Sequence, residues 1–183
     1  YYLVTSPFFL ITLPFPNSFV PYLMGPLLIL KFACCALTAY FYIRRFTKTS
    51  DAARLGGLLY AFSGFSVYNI FFNAFHEAFI VFPLLLLALE LLITENKRGV
   101  FALAVCLCAV TNYFFFFGMV VFTVIYWIVR LVSGNIKVTF KGFLVIAFEA
   151  VTLTLLSLVD VYNIKTHPLL KSNYIINLLY IIN

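Results

Sequence analysis

The stretch AFIVFPLLLLALELLIT, residues 78–94, contains seventeen residues and one ionisable side chain, Glu90. At about 1.5 Å of rise per residue, a helix of this length reaches about 25 Å, close to the hydrocarbon thickness of a bilayer. The polar run ENKRG, residues 95–99, follows it directly. The stretch therefore predicts a membrane-spanning helix that ends in a polar loop.

The composition of the whole chain agrees with this prediction. Of 183 residues, 64% are apolar, 20% are aromatic and 10% are charged, whereas soluble domains contain about 25% charged residues. The apolar residues are spread along the whole length. The composition argues against a soluble globular domain and predicts an all-α, polytopic transmembrane helix bundle.

Charged and turn residues divide the apolar runs into about six spans and a truncated seventh. The run from Val100 to Leu131 is too long for one span, and we place its break at Thr111-Asn112-Tyr113, where polar residues cluster. The expected helices cover about residues 22–43, 52–72, 78–94, 100–112, 115–131 and 140–159, with the start of another at 175–182.

Three regions follow from these spans. Residues 1–21 contain four prolines and predict an interfacial or re-entrant stretch at the end of an outward loop. Residues 22–159 form the predicted bundle, and residues 160–183 form an outward loop and the start of a further helix. Because the chain begins with Tyr1 and stops inside an apolar run, we expect it to be part of a longer protein.

The basic residues predict the orientation. With loops assigned alternately to the two sides, nine of the twelve Lys and Arg residues fall on one side, and only Lys165 and Lys171 fall on the other. The positive-inside rule therefore places the loops at 44–54, 95–99 and 130–141 in the cytoplasm, and the expected location is a membrane that borders the cytoplasm.

The net charge of +6 does not predict a nucleic-acid partner. The basic residues lie in short loops, without a basic face interleaved with aromatic residues, so membrane lipids are the expected partners instead. No cofactor is predicted, because the sequence contains no metal-binding motif and no Gly-rich phosphate loop. The cysteines at 34, 35, 106 and 108 lie in apolar runs and are interpreted as packing residues.

Lys31 is the first candidate site residue, because an ionisable side chain inside a span costs roughly 2.5–3.5 kcal/mol on insertion scales. Its head group could extend to the outer interface without any function, or it could contact a lipid phosphate from the outer side. Glu149 on the sixth predicted helix could be protonated, face a cavity or pair with Lys31, although about five residues of depth, or ~7 Å, separate the two.

The predicted outward side carries the other candidates. His76 and Glu77 could perform acid and base chemistry or hold a divalent cation, but such a pair more often caps a helix, with Glu77 in the first turn of the third span. Asn112 could equally act only as a helix terminus. If the bundle has a site, it opens outward and contains Lys31, Asn73, His76, Glu77, Asn112 and Tyr113.

Small residues recur along the second predicted helix at intervals of four, four and three. This pattern predicts close packing of a neighbouring helix and carries no chemistry. The residues are Ala53, Gly57, Ala61 and Gly64.

Several segments, in order, resemble the YfhO-like bacterial membrane proteins, a family placed among glycosyltransferases of the GT-C architecture. The resemblance covers about residues 1–131, and Lys31 is among the matching positions. The segments are Tyr1-Tyr2-Leu3, Ser6-Pro7-Phe8, Leu30-Lys31, YFYIRR at 40–45, LYAFSGF at 59–65, Phe82-Pro83-Leu84-Leu85 with Glu90, Thr111-Asn112-Tyr113 and Gly118-Met119.

The resemblance implies transfer of a sugar from a polyprenyl-phosphate donor to an extracytoplasmic acceptor such as a cell-wall polymer. It also implies a GT-C-like bundle in which an acidic residue of the first outward loop acts as general base and basic groups bind the donor phosphate. Residues 1–21 contain no Asp or Glu, so the catalytic residue stays unknown. Lys31 is the expected phosphate contact, and Glu77, Asn112 and Tyr113 are expected near the sugar or acceptor.

Two other functions stay open at this point. A transporter or flippase for a lipid-linked substrate could use Lys31 and Glu149 along an intramembrane path, although no inverted repeat is visible. An inactive membrane scaffold is the third hypothesis.

Overall fold

The computed structural model describes residues 6–16, 18–97, 99–133 and 151. Within these ranges, all of the regular secondary structure is α-helical. The sixth predicted helix with Glu149, and the start of the seventh, lie outside the described residues. The helices are α1 (Pro7–Thr12), α2 (Val20–Arg44), α3 (Ser50–Ala61), α4 (Gly64–Tyr68), α5 (Asn73–Glu95), α6 (Val100–Thr111) and α7 (Tyr113–Val132).

Three of the described helices are long and apolar enough to cross a membrane, and they correspond to the first, third and fifth predicted spans. The candidate spans are Val20–Arg44, Phe75–Glu95 and Phe114–Val132. α6 has twelve residues, so it is about 18 Å long and too short to cross alone. The predicted count of about six spans is therefore not confirmed, whereas the break at Asn112 is confirmed.

The second predicted span is wrong as a single helix. It is divided into α3 and α4, and neither piece is long enough to cross a bilayer. The division falls at Phe62 and Ser63, where Ser63 adopts an extended backbone with φ −60° and ψ 156°. Serine is common immediately before a helix, but the Ser63 side chain makes no capping hydrogen bond here.

α3 packs closely against α2 through its small residues. Ala53 and Ala61 are fully buried, and a Cβ atom added to Gly57 would lie 2.6 Å from the backbone oxygen of Ala36. Gly64 has nothing within 4 Å of its added Cβ and does not belong to this contact. The predicted stripe is thus confirmed from Ala53 to Ala61 but not at Gly64.

We expect Gly57→Ala to lower the free energy of unfolding by about 1–3 kcal/mol, because its methyl group must displace α2 backbone rather than a flexible side chain. The measurement is reversible unfolding in mixed detergent micelles. Gly64→Ala is the matched control and should leave stability unchanged or slightly raised. Equal losses for both variants would contradict the close approach of α2 and α3.

α5 is the central helix and packs against both α2 and α6. Its buried side chains include Leu85 and Leu89. Pro83 lies inside the helix and has no N–H for the carbonyl of Phe79, four residues earlier. The hydroxyl of Tyr60 donates a hydrogen bond to that oxygen at 3.1 Å. A side chain of α3 therefore satisfies the backbone acceptor that the proline leaves free.

The three long helices run in the same direction. Lys31 lies beside Glu77 and Arg45 lies beside Glu95, so α2 and α5 are parallel. Phe75 contacts Phe115 near the start of α7, and Arg130 contacts Glu90 near its end, so α7 is parallel to α5. Basic residues of the three predicted cytoplasmic loops consequently lie at one end of the bundle. They include Arg44, Arg45, Lys97 and Arg130.

Candidate functional site

A buried ion pair joins α2 to α5. The Nζ atom of Lys31 lies 2.7 Å from Oε1 of Glu77, and the side chains are 3% and 4% exposed. Charged groups are rarely placed among apolar helices unless they are paired, because desolvation of each charge is costly. The pair is therefore the strongest candidate for a site in the described part of the chain.

His76 extends this pair toward α4. Its Nε2 atom lies 2.9 Å from the backbone oxygen of Ser66, and its ring packs against that of Phe32 with centroids 5.2 Å apart. A carbonyl oxygen can only accept, so Nε2 carries the hydrogen of this bond. Lys31, Ser66, His76 and Glu77 together are called the polar cluster below.

Two hydrogen-bonding atoms of the polar cluster are unused. Nδ1 of His76 and Oε2 of Glu77 are buried and have no hydrogen-bond partner within the described residues. Burying a polar atom without a partner costs about 1–3 kcal/mol, and more for a charged group. A buried polar atom without a partner requires an explanation, and one explanation is a further group bound beside it.

Aromatic rings surround the cluster. Phe8 of α1 lies under the Lys31 ammonium, 5.3 Å from its ring centroid, and Phe32 stacks on Phe62 at 5.2 Å. Binding sites for small molecules typically combine such apolar walls with a few polar groups. Aromatic walls also exclude water, which strengthens the electrostatic interactions between them.

The structure corrects two of the interpretations made from sequence. Glu77 does not cap a helix, because α5 begins at Asn73, five residues earlier than predicted, and its first turn contains no acidic residue. Lys31 does not extend to the interface, because its side chain is buried against Glu77. The polar residues at 73–77 resembled a turn, but α5 already begins at Asn73, and His76 and Glu77 are buried. The predicted pairing of Lys31 with Glu149 lies outside the described residues.

The other predicted site residues lie at helix termini. Asn73 and Tyr113 are the first residues of α5 and α7. Asn112 is buried, and its Oδ1 accepts a hydrogen bond from the backbone N–H of Phe115 at 3.3 Å. This contact caps α7 and confirms the structural role that the sequence left open. The structure therefore brings Lys31, His76 and Glu77 together, and it uses Asn112 as a cap.

A second ion pair, in which Glu90 is buried and Arg130 is partly buried, was missed. Arg130 donates hydrogen bonds to both oxygens of Glu90, at 2.8 and 3.0 Å, and the hydroxyl of Tyr126 also donates to Glu90. Tyr42 of α2 donates to the Tyr126 hydroxyl at 3.1 Å. From sequence, Arg130 was assigned to a loop and Glu90 had no partner. The missed signal was the isolated acid inside an apolar stretch, which requires a cation on a neighbouring helix.

Comparison with known proteins identifies a family. The family described as bacterial membrane protein YfhO matches residues 1–163. The match includes α1 to α7 and both buried ion pairs, and it extends past residue 131, where the resemblance seen in the sequence ended. No curated protein and no solved structure matches the chain.

Proposed function

This chain belongs to the YfhO family of bacterial membrane proteins, and on that premise we propose that it contributes to a GT-C-type membrane glycosyltransferase. The proposed reaction transfers a sugar from a polyprenyl-phosphate donor to an extracytoplasmic acceptor such as a cell-wall polymer. The proposal places the polar cluster at the sugar or the acceptor, on the outer side of the bacterial cytoplasmic membrane.

The observation that carries the proposal is the buried Lys31–Glu77 pair with its unused carboxylate oxygen. An ionisable pair at this depth is expensive, and its usual justification is function. α2 continues eleven residues, about 16 Å, from Lys31 back to Val20, whereas α5 begins only four residues before Glu77. The cluster therefore lies where α5 starts, away from the basic end that we expect in the cytoplasm.

The geometry suggests a division of roles. Glu77 and His76 offer unused polar atoms and would contact the sugar or acceptor, with Asn73, Asn112 and Tyr113 nearby. Lys31 already contacts Glu77, so it would act first as a positioning residue. A donor phosphate at Lys31 would compete with that carboxylate. The general base expected of a GT-C enzyme remains unassigned.

We expect the double variant Lys31→Met/Glu77→Met to lose sugar transfer at least a hundredfold while the protein remains folded and inserted. Two apolar side chains of similar length replace the pair without leaving an unpaired charge. The assay measures transfer of labelled sugar from polyprenyl phosphate by membranes that contain the chain in its complete reading frame.

The matched control is Asp51→Asn/Arg54→Gln, which removes an exposed ion pair of α3 and should leave transfer unchanged. If the double variant transfers sugar at the unmodified rate, the polar cluster is not part of the site for sugar transfer.

A transporter or flippase for a lipid-linked substrate is the second candidate, because a buried ion pair can also serve an intramembrane path. Proteoliposomes containing a labelled polyprenyl-linked sugar distinguish the two. Movement of the lipid between leaflets without sugar transfer would favour the transporter. If the protein shows neither activity, the result would favour a non-catalytic scaffold.

A further inference from the structure

We propose that the polar cluster binds an uncharged, hydroxyl-bearing group, such as part of a sugar, through hydrogen bonds that the ligand donates, and that it does not accept phosphate. The naming of a sugar rests on the proposed function. The donor and acceptor chemistry does not, because it follows from the contacts of His76 and Glu77.

The hydrogen bond of His76 decides which of its ring nitrogens carries a hydrogen. Nε2 donates to the Ser66 carbonyl, so in a neutral imidazole the remaining nitrogen, Nδ1, has a lone pair and can only accept. This nitrogen is buried and has no hydrogen-bond partner within the described residues. A ligand that binds at this position would therefore have to donate a hydrogen bond to Nδ1.

Glu77 provides the second vacancy. Its Oε1 contacts Lys31 at 2.7 Å, while Oε2 is buried without a hydrogen-bond partner in the same described region. An ionised carboxylate is only an acceptor. The two vacancies on neighbouring residues of α5 therefore require the same chemistry, a hydrogen-bond donor.

Phosphate and metal ions fit this site poorly. The negative oxygens of a phosphate are acceptors, and they would face two further acceptors, Nδ1 of His76 and Oε2 of Glu77. The Lys31 ammonium, which could attract the phosphate, is already paired with Glu77. A divalent cation would lie close to the Lys31 ammonium, and no group of three His, Cys, Asp or Glu side chains that could hold it exists among the described residues. Hydroxyl groups donate without adding charge, and the rings of Phe8 and Phe32 offer apolar surface to the carbon skeleton of a sugar.

The first test concerns the protonation state alone. The full chain is labelled with ¹⁵N-histidine and examined by NMR in lipid nanodiscs. The sequence has two histidines, so the signals that remain in His167→Gln belong to His76. We expect a protonated Nε2 and an unprotonated Nδ1. A protonated Nδ1 would overturn the proposal, since that atom would then be a donor.

The second test adds probes to the same sample. Glucose or N-acetylglucosamine should shift the Nδ1 signal in a saturable manner, and inorganic phosphate at the same concentration should not. Glu77→Gln should weaken sugar binding about tenfold, the effect of losing one hydrogen bond to a charged acceptor. Arg54→Gln is the matched control and should bind as the unmodified chain does.

Each remaining outcome has a defined meaning. A saturable shift with phosphate, or no shift with either sugar, would overturn the proposal. Sugar binding combined with no transfer by the complete reading frame would contradict the proposed function and leave this inference standing. Transfer activity combined with a phosphate-induced shift would contradict only the inference.

Discussion

Replacing Lys31 with methionine is expected to lower the free energy of unfolding by about 3–5 kcal/mol, the largest stability effect of any single substitution considered for this chain. The variant leaves the buried Glu77 carboxylate without its cation. Methionine fills a similar volume, so the loss reports the unpaired charge rather than a cavity. Reversible unfolding in mixed micelles measures it.

A double-mutant cycle gives this prediction its control. Lys31→Met/Glu77→Met should recover most of the stability lost in either single variant, because both charges are removed together. Lys97→Met breaks an exposed pair with Glu95 and should have a far smaller effect. Additive losses at Lys31 and Glu77 would show that the two charges do not interact.

The second large effect is expected at the other buried pair. Arg130→Met should lower the free energy of unfolding by about 2–3 kcal/mol, because Glu90 is 1% exposed and would lose two of its hydrogen bonds. The loss is smaller than at Lys31, since the Arg130 side chain is 21% exposed and the Tyr126 hydroxyl still donates to Glu90.

Arg45→Met is the matched control for Arg130. Arg45 contacts Glu95 at 2.9 Å, but both side chains are partly exposed to solvent, so the variant should change stability only slightly. Unfolding in the same micelles compares the two arginines directly. If Arg130→Met and Arg45→Met lower the free energy of unfolding equally, burial of Glu90 does not strengthen its ion pair with Arg130.

The sequence predicted the long helices well because their apolar length is a local property. α2, α5 and α7 coincide with predicted spans to within a few residues at most ends, and the break at Asn112 was located from its polar neighbours. The division of the second span was not foreseen, because Phe62 and Ser63 are compatible with a continuous apolar helix. A turn inside an apolar run depends on the tertiary contacts around it, and these contacts cannot be predicted from composition.

The candidate site was predicted in part. Lys31, His76 and Glu77 were selected as costly or polar residues on one side of the membrane, and the structure brings them together. The partner of Lys31 was not predicted, because residues 31 and 77 are related only by the packing of α2 on α5. The same reason explains why the pairing of Glu90 with Arg130, forty residues apart, was missed.

The shared direction of α2, α5 and α7 has an electrostatic consequence. Each helix carries a macrodipole equivalent to roughly half an elementary charge at either end, and parallel macrodipoles add rather than cancel. The positive ends of α5 and α7 lie near the level of Glu77, where they attract negative charge. The negative ends coincide with Arg44, Arg45 and Arg130. The arginines that would orient the chain by the positive-inside rule would therefore also offset the helix charges that the parallel arrangement concentrates there.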